Sequence, residues 1–583
     1  MAASRNVARC PAASPEKAAT RRRTPAHRAL IESATQHTVA VNPLIGARRK
    51  DVLGAATTLL GRLAREPRVV TANYAKLIGE YGRIATGRST LAPAQGDRRF
   101  ADRAWQDNAL FRRVLQSYMA LGGTLDRCVD QAKLGARDTE RARFAMSLLV
   151  DALAPTNFLA SNPAALRKLV DTKGVSVLRG FANLIEDVAS GTGLPRQVDA
   201  RPYAVGRNLA TTPGAVVYRN ELLELIQYAP TTPQVHARPL LIVPPQINKF
   251  YVFDLVPEKS LVRFALNGGL QTFAISWKNP TAAERQFGLD TYVAALEDAV
   301  DVIREITGSE DVNIWGSCSG GITMSAFLAN LAARGERKVH SATVAVCVLD
   351  MAAAKTTTAG IFATPESIAA AKHASQVAGL VEGRELARMF AWLRPNDLVW
   401  SYWVNNYLLG NAPPAVDLLY WNNDSTRLPA RFHAQLLDLF VDDLFRRPGA
   451  LTVLGAPIDL AKVTCDKYVV AGITDHITPW PAGYRAAKLF GGATDFVLSS
   501  SGHIQSILNP PGNPKAKFFV NPGSPDDPQA WLKGATTCAG SWWTHWRDWL
   551  TARSGDLLPA PDRPGSDHFP RLADAPGTYV LEH

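Results

Sequence analysis

Gly316-Ser317-Cys318-Ser319-Gly320-Gly321 follows a short apolar run, Val312-Asn313-Ile314-Trp315, and precedes an Ala-rich apolar stretch from Ile322 to Ala333. The run predicts a buried strand and the stretch a buried helix, which makes the hexapeptide the turn between them. Its form, G-x-nucleophile-x-G, is that of a nucleophile elbow with cysteine in place of the more usual serine. Glycines on either side suit a turn so sharp that side chains would collide. A thiol there sits at a helix N-terminus, where the dipole favours thiolate. The expected chemistry is acyl transfer through a thioester. The plain alternative is a Gly/Ser-rich turn that happens to carry a small buried cysteine. The rest of the chain must decide.

An elbow of this kind calls for an acid and then a histidine later in the chain, each on a loop after a late strand. Lys467-Tyr468-Val469-Val470-Ala471-Gly472 leads into Ile473-Thr474-Asp475-His476, and Phe496-Val497-Leu498 leads into Ser499-Ser500-Ser501-Gly502-His503. The order Cys318, Asp475, His503 is met. Asp350, at the end of an earlier strand, is the competing acid. His476 adjoins Asp475, but consecutive side chains in extended backbone point apart, so it reads as a loop residue. His503 would hold the thiol proton, and the Ser319 amide would be one oxyanion donor. The second is expected near Gln246-Ile247, after the strand Leu240-Leu241-Ile242-Val243, with the Ile247 amide as the named donor.

From about residue 235 apolar strands alternate with helical stretches, which predicts an α/β fold with a mostly parallel sheet covered on both faces. The expected organisation is a basic arm at 1–50, a helical N-terminal region at 51–234 and a first core part at 235–350. A helical, aromatic-rich insertion at 351–455 would follow, then a second core part at 456–555 and a tail at 556–583. The insertion is expected to cover the carboxyl ends of the strands as a lid. In the N-terminal region Phe111, Val114, Leu115, Tyr118 and Met119 share one helical face, and Asn162-Pro163 reads as a helix start. The late Trp542-Trp543-Thr544-His545-Trp546-Arg547-Asp548-Trp549 segment is an amphipathic helix expected to lie on the core.

The 583 residues are 46% hydrophobic, enough for a large core. Six scattered cysteines form neither a C-x-x-C pair nor a Cys/His cluster, so no disulfide framework or metal site is expected. No apolar run has the length of a transmembrane helix, and the opening lacks a secretory h-region. The formal charge of +12 is drawn partly from the basic arm, and no nucleic-acid recognition motif accompanies it. A cytoplasmic protein that binds no nucleic acid is the expectation.

The stretch from about residue 95 to 555 resembles the polyhydroxyalkanoate synthases, which polymerise (R)-3-hydroxyacyl-CoA into storage polyester. The resemblance rests on Asp97-Arg98-Arg99-Phe100-Ala101-Asp102, Pro244-Pro245-Gln246-Ile247-Asn248-Lys249 and Ser276-Trp277-Lys278-Asn279-Pro280, with the cysteine elbow. It continues through Leu393-Arg394-Pro395-Asn396-Asp397, Tyr402-Trp403, Tyr420-Trp421-Asn422-Asn423-Asp424, Asp475-His476-Ile477-Thr478-Pro479-Trp480 and Gly502-His503-Ile504.

What the resemblance implies is an α/β-hydrolase core with a mobile helical cap, and an N-terminal region serving granule association and dimerisation. Cys318 would be acylated, His503 its base, and Asp475 would help activate the incoming 3-hydroxyl. Trp421 is implied in dimerisation or activity and Arg394 near coenzyme A. Coenzyme A would be the leaving group, with no permanently bound cofactor and no metal. The implied partners are the growing polyester, the granule surface and a second copy of the chain. Ser319 and the run from Gly502 to Pro514 resemble the branch preferring medium-chain monomers. A thioesterase or depolymerase with the same triad, and a non-catalytic granule-associated protein, remain the alternatives.

Overall fold

A computed structural model describes residues 49–352, 360, 362–392 and 395–583. Among them, eleven strands form one sheet. In chain order these are β1 (Gly214–Arg219), β2 (Leu223–Tyr228), β3 (Leu240–Val243), β4 (Thr272–Trp277), β5 (Val312–Ser317) and β6 (Val339–Ala345). They continue as β7 (Asp466–Gly472), β8 (Thr494–Ser499), β9 (Lys517–Val520), β10 (Thr536–Ala539) and β11 (Ala573–Asp574). Their spatial order is β10-β9-β8-β7-β6-β5-β3-β4-β2-β1-β11. The six strands from β8 to β4 in that order are parallel, and antiparallel strands extend both edges.

Side chains that alternate along a strand feed two cores. Leu241 and Val243 enter the layer built with Leu296, Val300 and Phe327 from helices Leu289–Thr307 and Cys318–Arg334. Leu240 and Ile242 enter the layer on the other face with Trp315, Trp542 and Trp546. Both faces are thereby buried, as parallel sheets require. The tryptophan-rich helix Trp542–Thr551 does lie on the core: Trp542 stacks on Trp315 at 5.7 Å, and Trp546 meets it edge-on at 5.0 Å. This is the α/β-hydrolase fold.

Two boundaries differ from the sequence reading. The sheet begins at Gly214, so Leu240–Val243, expected as the first core strand, is the third. In β2 the buried polar residues Glu224 and Gln227 interrupt the apolar pattern. Glu224 is tolerated there because Arg219 Nε (2.9 Å) and the Thr578 (2.9 Å) and Tyr579 (3.0 Å) amides donate to its carboxylate. Those last two donors come from the segment expected to be a tail. Instead residues 573–574 pair with β1 as β11, and Leu557–Pro559 pairs with Gln234–His236. Long-range pairing of this kind leaves no local periodicity to read.

The insertion between β6 and β7, called the cap below for its place in the chain, holds helices Pro365–Ala378 and Ala430–Asp442 packed together. The N-terminal region contributes α1 (Arg49–Ala64), α2 (Pro67–Ala85), α3 (Ala109–Gln131), α4 (Ala136–Ala152), α5 (Pro163–Asp171) and α6 (Val175–Ala189). Asn162 caps α5 as expected, accepting from the Ala164 and Ala165 amides at 3.0 and 3.1 Å. These helices dock on the cap. Asn183 Nδ2 donates to the Asn406 and Asn411 carbonyls at 2.9 and 3.0 Å, and Tyr407 Oη donates to Asp187 at 2.7 Å. Gly180 lets α6 lie so close that an added Cβ would fall 1.9 Å from the Tyr407 carbonyl oxygen. Residues 1–48 of the basic arm lie outside the described residues.

Candidate active site

Cys318 begins the helix after β5 and adopts φ +50, in the left-handed region that costs a side-chain-bearing residue roughly 1–2 kcal/mol. The surroundings hold it there. A Cβ on Gly316 would come within 2.9 Å of Gly321 Cα, and one on Gly320 within 2.4 Å of the Pro244 carbonyl oxygen. A Cβ on Gly321 would meet Cys347 Sγ at 2.9 Å. These glycines are therefore fixed by close approach. The strained turn that the sequence predicted is present.

The acid and the histidine lie on neighbouring loops after β7 and β8, which run parallel in register from Lys467↔Thr494 to Gly472↔Ser499. Beyond the strands the Ile473 amide donates to the Ser499 carbonyl at 2.9 Å, extending the pairing toward the site. Gly472 permits the close loop approach, since a Cβ there would lie 2.5 Å from Ser506 Oγ and 2.6 Å from the Ser501 carbonyl oxygen. His503 Nδ1 then reaches Asp475 Oδ2 at 2.7 Å. Asp475 Oδ1 accepts from the Ile477 and Thr478 amides at 2.8 and 2.9 Å, which locks the carboxylate. Thr478 Oγ1 donates to the same carboxylate and lies 3.2 Å from His503 Nδ1. The sequence reading missed this threonine, although Asp-x-x-Thr is the pattern of a side chain capping its own turn.

The site is nearly closed to water: Cys318 is 8% exposed, Asp475 6% and His503 4%. Burial alone would lower the His503 pKa. The Asp475 charge and hydrogen bond, followed by the interaction with Cys318, outweigh it and raise the value to about 10. The imidazole is thus a stronger base than a free histidine, and it keeps a proton once it has accepted one. His503 Nδ1 is committed to Asp475, and among the described residues Nε2 has no hydrogen-bond partner.

The competitors are placed elsewhere. Asp350 lies 3.4 Å from Arg485 Nε and 3.9 Å from Arg446 Nε, and it is Asp475 that His503 Nδ1 meets. His476 is exposed beside the buried Asp475. Ser319 and Ile247 are both buried, and the Gln246 amide donates to Ser319 Oγ at 3.2 Å, which brings the loop after β3 against the nucleophile helix. Trp421 is buried and donates through Nε1 to the Lys249 carbonyl at 2.7 Å. Arg394 lies outside the described residues. Among the described residues no group of three or more histidine, cysteine or carboxylate side chains could hold a metal ion. No described helix is long and apolar enough to cross a membrane.

Residues 96–265 match the family described as poly-beta-hydroxybutyrate polymerase (PhaC) N-terminus, and residues 239–510 match the alpha/beta hydrolase fold. A protein of Ectopseudomonas oleovorans named poly(3-hydroxyalkanoate) polymerase 1 is 52% identical, over 95% of this chain and 98% of that protein. The chain belongs to the poly(3-hydroxyalkanoate) polymerases. Poly(3-hydroxyalkanoate) polymerase 2 of the same organism is 49% identical over 93% of this chain and 96% of its own length. A poly(3-hydroxyalkanoate) polymerase subunit PhaC of Cupriavidus necator is 41% identical over 85% of each chain. The N-terminal match of this polymerase crosses from the helical region into β1–β3, in keeping with a sheet that starts at Gly214.

Proposed function

We propose that the chain polymerises (R)-3-hydroxyacyl-CoA by covalent catalysis at Cys318, with medium-chain monomers favoured. The observation that carries this reading is the Asp475–His503 pair at 2.7 Å, whose imidazole interacts with a cysteine held at φ +50. His503 takes the thiol proton, and the thiolate attacks the thioester carbonyl. The Ser319 and Ile247 amides stabilise the oxyanion. Carbon–sulfur cleavage releases coenzyme A, which leaves with the proton from His503. The 3-hydroxyl of the next unit then loses its proton with help from His503 and Asp475 and attacks the acyl-cysteine. A new ester forms, and the cysteine sulfur is released.

Coenzyme A is the leaving group, and the cycle asks for no permanently bound cofactor. Arg394 is proposed to contact it; Arg394→Ala should raise KM for the thioester more than it lowers kcat. The proposed working form is a homodimer at the surface of a cytoplasmic polyester granule. The support is an apolar face of α6, where Leu178, Phe181, Ile185 and Val188 stand exposed at helical spacing.

Incubation with 3-hydroxydecanoyl-CoA tests the reaction. Insoluble polyester with stoichiometric coenzyme A is expected, and Cys318→Ala should lower the rate by at least about 10³-fold. Free 3-hydroxydecanoic acid without polymer would instead make the chain a thioesterase. Coenzyme A release across C4 to C12 thioesters ranks the monomers, and sedimentation with and without substrate tests the dimer.

A further inference from the structure

Segment 421–426 belongs to the cap by chain position, yet it is built onto loop 246–249 of the core. Trp421 Nε1 donates to the Lys249 carbonyl, and Asp424 pairs with the buried Lys249 ammonium at 2.8 Å and accepts from Tyr251 Oη at 2.8 Å. Asn248 and Ser425 form an isolated β-bridge. The Thr426 amide donates to the Ile247 carbonyl at 3.1 Å, and Thr426 Oγ1 donates to the Gln246 carbonyl at 2.6 Å. On its other side the loop is tied to the nucleophile helix, where Gln246 Nε2 donates to Thr323 Oγ1 at 2.8 Å and the Gln246 amide to Ser319 Oγ.

The Gln246 carbonyl and the Ile247 N–H belong to one planar peptide unit, in which the two bonds point in opposite directions and their dipoles add. A grip on the oxygen therefore aims the N–H, and it also polarises it. An oxyanion donor works only when set within hydrogen-bond distance of where the charge develops. We infer that Thr426 is a positioning residue: its hydroxyl holds the Gln246–Ile247 peptide so that the Ile247 amide faces the forming oxyanion. Asp424 supports the same frame through Lys249. The cap segment is then a structural part of the oxyanion hole, and it stays seated while substrate reaches Cys318 from elsewhere. This rests on the polymerase reading above.

The test exploits a reaction at the same sulfur that forms no oxyanion. Thr426→Val keeps the shape and removes the hydroxyl. Single-turnover coenzyme A release from 3-hydroxydecanoyl-CoA should fall roughly 10- to 100-fold, part of what losing an oxyanion donor outright costs. Alkylation of Cys318 by iodoacetamide, a displacement at saturated carbon, should stay within about twofold of the parent rate. Thr426→Ser should restore most of the acylation rate. A fall in both rates, no fall in either, or no rescue by serine overturns the inference. Mass spectrometry of the parent protein, locating the acyl group on Cys318, is the control; its failure would sink the polymerase reading instead.

Discussion

His503 shows how one side chain is tuned by opposing forces. Burial favours the neutral ring, and Asp475 at 2.7 Å favours the charged one and prevails, so the proton is held up to about pH 10. The sign for stability follows. A histidine whose folded value exceeds its ordinary 6.5 stabilises the fold fully below 6.5, and that contribution fades as pH rises through about 10. Asp475→Asn removes the two largest favourable interactions and leaves burial to dominate. The variant imidazole should lose its proton at a lower pH, and Cys318 alkylation at pH 7.5 should slow by about 10-fold or more. An iodoacetamide pH profile checks this. An unchanged profile would show that Asp475 does not tune the pair. The alkylation rate also separates the two positioning roles, since Thr426→Val is expected to spare it.

At the scale of the element, close approach decides more than propensity. The helix that follows Cys318 can start where it does only because Gly320 lies against the carbonyls of Pro244 and Val243, at 2.4 and 2.6 Å from an added Cβ. Gly320→Ala should therefore push the helix from β3, lower stability by about 1–3 kcal/mol and cut acyl transfer well beyond the loss of folded protein. Chemical denaturation beside coenzyme A release measures both. Gly180→Ala should act at the other end of the molecule. With backbone 1.9 Å from its Cβ, α6 must lift from residues 404–408, at a similar cost of about 1–3 kcal/mol. Faster proteolysis between 190 and 213 would report that lifting, and an unchanged cleavage rate would contradict it.

For the whole molecule, Phe432 and Leu436 of the cap join the helix-covered core beside Tyr292 and Leu296, and the N-terminal helices rest on the cap. The last residues bind the cap to the sheet edge. The Thr578 and Tyr579 amides find their acceptor in buried Glu224, the Asn279 amide donates to Glu582, and Arg427 of the cap donates to the His583 carbonyl at 3.3 Å. Glu224→Ala strips two amides of their acceptor and should cost about 2–3 kcal/mol, read as a lower denaturation midpoint with early cleavage after residue 560. The exposed face of α6 makes a separate prediction. Leu178→Asp with Phe181→Asp should reduce sedimentation with polyester particles several-fold and leave coenzyme A release from soluble thioester within about twofold, because both side chains stand mostly in solvent. Unaltered sedimentation would remove the face from any role in surface contact.

The elbow, the parallel strands around it and the order Cys318, Asp475, His503 were legible because each rests on local pattern: an apolar run, a glycine pair, a loop after a strand. The Asn162 cap and the tryptophan helix were legible for the same reason. Polar-interrupted β2, the returning edge strand β11 and the true start of the sheet were hidden, since Glu224 makes sense only beside Thr578 and Tyr579, some 350 residues away. Thr426 was equally silent: nothing near it in the chain says that its hydroxyl meets the Gln246 carbonyl. The amino-acid sequence by itself determined the family of folds and which side chains are candidates for the chemistry. Tertiary structure alone decided what holds that chemistry in register, because hydrogen bonds between distant segments carry no periodic trace along the chain.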